Sequence, residues 1–183
     1  MTSIIKVDQI QNAAGGTPTA ADLGLNVSGS VLQVKQTVMT SEAVINSTSF
    51  TEVLALTTSI TPSSTSSKIL VDVNVNVGGF GHYDLKLQAN GSDILIGDAV
   101  GSRTRSTYHA YHSSTYNTTY DIESVSIKFL HSPSTTSPVT YRIVGGSPYS
   151  SSYYVLINRE YNDQDDTYQA RTASTMTLTE IAG

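Results

Sequence analysis

Between Ile69 and Val77 the chain places Ile69, Val71, Val73, Val75 and Val77 on one parity and Leu70, Asp72, Asn74 and Asn76 on the other. A period of two sends successive side chains to opposite faces of a pleat, so this run reads as a strand with one buried and one wet face. Gly78-Gly79 follows and is expected to end it. Beyond the glycines, Tyr83, Leu85, Leu87 and Ala89 alternate with Asp84, Lys86, Gln88 and Asn90, and Ile94 and Ile96 resume the pattern. Asn90-Gly91 between two apolar alternations predicts a tight hairpin, because both central residues of such a turn need positive φ.

The same reading predicts strands at Val31 to Met39, where Leu32, Val34 and Val38 share a parity, and at Phe50 to Ile60. Further strands are expected at Val125 to Leu130, Val139 to Val144, Tyr153 to Asn158 and Thr175 to Ile181, between loops rich in Ser, Pro, Gly or Asp. The stretch from Gly101 to Asp121 is irregular and reads equally as a strand pair or a loop. Ser and Thr make up roughly a quarter of the residues and charged side chains only 14%. Such a surface suits half-exposed strands better than helices, whose outer faces normally carry Lys, Glu, Gln and Ala. The expected fold is all-β, a jelly-roll β-sandwich of about eight to ten antiparallel strands, with an immunoglobulin-like sandwich as the competing architecture.

Ahead of this body, residues 31–183, lies a head and linker, residues 1–30. In it Ile4, Ile5, Val7 and Ile10 form an apolar patch too short to stand as a helix without a partner surface. Thr19 and Asp22 resemble a capping box, so TAADLG reads as a single turn. The net charge of -5 and the absence of any basic run argue against nucleic-acid binding. Cysteine is absent, which removes disulfides, thiolate ligands and a cysteine nucleophile. No signal peptide or segment of about 20 apolar residues is present, so neither export nor membrane insertion is expected.

The polar constellations have bland readings that outweigh the functional ones. His109 and His112 stand three apart but outside any helical pattern, and Asn162 to Asp166 supplies oxygen ligands without the glycine and closing Glu of a calcium loop. No G-x-S-x-G elbow occurs, although Asp98, Asp121 and Glu123 could converge for glycoside hydrolysis. No catalytic, metal or cofactor site is expected. Tyrosine joins rigid contact area to a hydroxyl, and the aromatic stretch Tyr108, His109, Tyr111, His112, Tyr116 and Tyr120 is the candidate recognition surface.

TSIIKVDQIQ at the start, TTSITPSSTSSKILVDVNV, GSRTR and FLHSPSTTSPVTYRI within, and ASTMTLTEIAG at the end together resemble the short fibre and appendage proteins of tailed bacteriophages, those of marine and cyanobacterial hosts above all. The resemblance implies a virion structural protein without enzymatic activity, a homotrimer with a tumour-necrosis-factor or C1q-like jelly-roll body. It implies that Ile4, Ile5, Val7 and Ile10 anchor the chain on another virion protein of tail, neck or capsid, and that the body is exposed to a host-surface glycan. A capsid or neck decoration protein that touches no host is the alternative, and a polysaccharide-degrading appendage a minor one.

Overall fold

The computed structural model describes residues 10–11, 14–18, 23–24, 27–112 and 120–183. Ile4, Ile5, Val7, the turn expected at TAADLG and Tyr116 fall outside these stretches, wholly or for the most part. The chain is all-β, with no helix among the described residues and ten strands. These are β1 (Val31–Met39), β2 (Ala43–Ile45), β3 (Thr51–Ile60), β4 (Lys68–Ala89), β5 (Ser92–Ile94), β6 (Tyr108–His112), β7 (Glu123–His131), β8 (Val139–Gly146), β9 (Tyr154–Ile157) and β10 (Ser174–Ile181). Every pairing is antiparallel, and the strands link into one curled sheet consistent with a β-sandwich of the jelly-roll kind.

The expected break at Gly78-Gly79 does not occur. β4 runs unbroken for 22 residues and belongs to both halves of the fold. Its first half pairs with β10 and β7, its middle with β9, and its second half with β6, β8 and β5. Every odd-numbered residue from Ile69 to Ala89 is buried, so the inward parity survives the corner. Strands that switch sheets need a bend, and residues without a Cβ supply it. Gly79 lies where a Cβ would collide with the Tyr83 ring, and Gly81 has φ +73° with the Tyr153 ring against its α-carbon.

The core fills the space between the two halves. Ile69, Val71, Val73, Val75 and Val77 of β4, Ile127 of β7 and Met176 and Leu178 of β10 meet Val53, Leu56 and Ile60 of β3 and Tyr141 and Ile143 of β8 in one cluster. The Asn90-Gly91 hairpin forms as expected, with φ of 48° and 83° and Ser92 paired to Ala89. Among the described residues of the ambiguous stretch, Tyr108–His112 forms the short strand β6, and β2 is a strand the sequence pattern does not reveal.

On β1 the apolar parity faces outward. Val34 and Val38 are each 54% exposed, whereas Gln33 and Thr37 turn inward to polar partners. The reason is a register irregularity between Val31 and Gln33 together with a buried carboxylate on β10. Glu180 is fully buried and accepts hydrogen bonds from Gln33 Nε2 at 2.6 Å and from both the backbone N–H and the hydroxyl of Ser63 at 2.7 Å. Burial alone would raise its pKa, but these donors outweigh it and hold the carboxyl below its ordinary 4.5.

Two outcomes follow from this packing. Gly81→Ala forces a side chain into a left-handed backbone already covered by a ring, and unfolding by denaturant should register a loss of more than about 2 kcal/mol. A depressed carboxyl stabilises the fold above its unfolded pKa and loses that contribution as pH falls through the folded value. Glu180→Gln should therefore cost about 1–3 kcal/mol at pH 7 and flatten the decline in stability below pH 4.5, measured by urea titrations across pH.

Candidate functional site

Strand alternation divides the aromatic stretch between two surfaces. On β6, Tyr108, Ala110 and His112 face the interior, and His109 and Tyr111 face outward. The inward set forms a polar lock with the neighbouring strands. His112, 6% exposed, bonds through Nε2 to Glu123 of β7, the Tyr108 hydroxyl donates to the other oxygen of Glu123 at 2.8 Å, and the Tyr83 hydroxyl lies 3.3 Å from His112 Nε2. Burial above all, then the Tyr108 and Glu123 charges, pushes the Tyr83 phenol well above its ordinary range. Burial and the bond to Glu123 raise Tyr108 to about 12. Glu123 shifts down, since the bonds from His112 and Tyr108 outweigh the opposing effect of its burial.

The outward set gathers the histidines and tyrosines into one face. Register pairs His82 with Tyr111 and Asp84 with His109, and the ring of His82 lies 4.5 Å from Tyr111, 5.6 Å from His109 and 5.2 Å from Tyr149, centroid to centroid. Phe80 extends the cluster through Tyr153 at 6.2 Å and Tyr161 at 4.8 Å. Offset and edge contacts of this kind hold rings in fixed orientation. His82 is the hub of these contacts, and Tyr111 remains 56% exposed beside it.

Beside these rings, the loop of residues 101–106 and Tyr149 cover Asp84 to form a cleft of about 300 Å³ lined also by Arg103, Thr104, Ser106 and His109. Asp84 is 1% exposed, and its Oδ1 lies 3.1 Å from His109 Nδ1. Tyr149 is 48% exposed, yet partial desolvation above all, with the Asp84 charge and a hydrogen bond to that carboxylate, pushes its phenol up against the opposing bond with Thr104.

The remaining sequence candidates lie elsewhere. Tyr120, 50% exposed, shares a groove with Gln164, Asp166, Tyr168 and Gln169, and Ile10 is 54% exposed. Asp163 of the acidic run pairs with Arg159 at 3.3 Å and with Arg171 at 2.5 Å, while Asp166 accepts from the Tyr168 N–H. No group of three or more His, Asp or Glu among the described residues is arranged to hold a metal ion. His82, Asp84 and Arg103 escape sequence reasoning as site residues. The outward parity of β4 marks the first two, but the strand that lies beside them is a matter of register. Neither a protein-family model nor any curated protein matches this sequence.

A phenol whose pKa is raised in the folded state supports the fold below its unfolded value near 10 and withdraws that support as pH climbs toward the folded one. Stability should accordingly fall between about pH 10 and 12, with part of the tyrosinate absorbance at 295 nm withheld until unfolding. Tyr108→Phe should make the alkaline fall shallower. An unchanged slope would show that Tyr108 is not among the phenols responsible.

Proposed function

We propose that this chain is a non-enzymatic structural component of a tailed-phage virion, a short trimeric fibre or appendage. Its head, residues 1–30, docks through Ile4, Ile5, Val7 and Ile10 on another virion protein, and its β-sandwich body offers an attachment surface to a host glycan. The likeness of the head and of the closing TLTEIAG to phage appendages supports the particle assignment.

One observation carries the attachment role: the concentration of His82, His109, Tyr111, Tyr149 and Tyr153 on a single outer face of the body. Rigid amphipathic rings give contact area at little entropic cost, which is what a recognition surface needs. On the opposite half, Val31, Val34 and Val38 of β1 stand 61%, 54% and 54% exposed, with Leu130 of β7 at 46% on the same outer side. Exposed apolar side chains favour association, and these support self-assembly through the outer face of β1.

The double variant Val34→Glu/Val38→Glu should convert the assembled species to a monomer in light scattering without loss of β-sheet circular dichroism. A chain that is already monomeric at high concentration overturns the trimer. Removing residues 1–25 should abolish incorporation into particles, and Tyr111→Ala should reduce adhesion to host cells at least tenfold. Normal adhesion by the Tyr111 variant would locate attachment elsewhere.

A further inference from the structure

Where β4 passes Gly78, a Cβ would collide with the Arg159 carbonyl oxygen and press on the Asp121 carbonyl oxygen 3.3 Å away, so the missing side chain lets two segments close in on the strand. One of them brings Tyr120, and the other leads into the loop of residues 160–171. That loop is braced at several points. Buried Glu160 accepts from the Ala170 N–H at 3.1 Å, Asp163 pairs with Arg159 at 3.3 Å and with Arg171 at 2.5 Å, and Gln169 Oε1 accepts from the Gln164 N–H at 2.6 Å. On this frame the Tyr168 ring stands 84% exposed, and with Tyr120, 50% exposed, it lines a groove of about 370 Å³ completed by Gln164, Asp166 and Gln169. Neither ring belongs to the core.

We infer that this groove is a subsite for a neutral sugar, contacted by the Tyr120 and Tyr168 rings and hydrogen-bonded by Gln164, Asp166 and Gln169. Exposed tyrosine rings suit the C–H face of a pyranose, and each phenol adds a hydroxyl at the rim. The polar lining supplies both halves of a bond to a sugar hydroxyl. Gln169 has its oxygen engaged by Gln164 and so presents its NH2 as a donor, while the exposed Asp166 carboxylate is an acceptor whose Oδ1 already steadies the Tyr168 N–H at 3.3 Å. No Lys or Arg lines the groove and Asp166 repels anions, which excludes an acidic sugar. Two rings and a carboxylate also suit an alkylammonium. The Gln169 NH2 decides against it, because a donor finds nothing to bond on such a cation. About 370 Å³ is at the small end of ligand pockets, a volume for one or two saccharide units.

The groove shares no residue with the rings around His82, so this subsite goes beyond the attachment surface proposed there and does not depend on it. The test titrates the full chain with maltose, lactose and chitobiose, with a glucuronate-containing disaccharide, and with tetramethylammonium, following the Tyr120 and Tyr168 ring resonances by NMR. At least one neutral disaccharide should give saturable shifts at both rings and bind at least fivefold more tightly than the glucuronate sugar. Tyr168→Ala, an exposed change that spares the fold, should weaken that sugar at least tenfold. Gln169→Glu keeps the acceptor for the Gln164 N–H and removes the donor, and should weaken it at least fivefold. Absence of saturable shifts with all three neutral sugars, tighter binding of the glucuronate sugar or of tetramethylammonium, or full affinity in either variant overturns the inference. Tyr111→Ala should leave the titration unchanged, and loss of sugar binding in that variant would place the sugar on the other face and overturn it as well. Host-cell adhesion reads the Tyr111 surface separately, so a failed titration leaves that surface standing.

Discussion

Everything in this fold hangs on β4 turning a corner without changing face. Its odd-numbered side chains stay buried from Ile69 to Ala89, although the strand leaves one half of the sheet and enters the other. A shift of one residue at the bend would send Tyr83, Leu85 and Leu87 to solvent and draw Asp84, Lys86 and Gln88 into the core, so register there is fixed by the cost of a whole hydrophobic face. Six of the other strands pair directly with β4. Their positions are therefore consequences of its path, and the rings of Tyr83 and Tyr153 occupy the space that Gly79 and Gly81 leave open.

Polar side chains complete what the hydrophobic layer begins. Glu180 secures the Ser63 turn against the end of β10, and Asn158 donates to the Met39 and Ser41 carbonyls while accepting from Ser174, closing the opposite end of the same layer. Each of these groups is buried with its partners in place, the condition under which a polar atom in a core specifies geometry instead of costing stability.

Much of the fold was legible in the sequence, and for physical reasons. Period-two alternation fixes which face of each strand is apolar, and the spans at Val31 to Met39 and around Val73, along with the Asn90-Gly91 turn, reflect strictly local chemistry. Where the reading failed, a tertiary contact decided the matter. Gly78-Gly79 looks like punctuation locally, but it is the bend of a continuing strand because β9 pairs across it. The valines of β1 look like a core face, yet Glu180 and its donors claim the inner side. β2 has three residues and pairs only with β9, so no periodic signal could expose it. The site was legible in composition and not in arrangement: the histidines and tyrosines of residues 108–112 were visible, whereas their division by parity and their union with His82, Asp84 and Tyr149 depend on cross-strand register.

That division by parity also explains how a surface of rings can be held still. Five residues make β6, a strand too short to be stable alone, and its outward His109 and Tyr111 gain their rigidity from the inward Tyr108 and His112. The latter pair clamps the strand to Glu123 of β7 and to Tyr83 of β4. Weakening the inner bonds should loosen the outer rings, although no atom of the inner set reaches the surface they form. Preorganisation of the attachment face is thus a property of the core beneath it, and the Glu123 carboxylate, held by a His and a Tyr from the same strand, is the point at which the inner face of β6 is fixed.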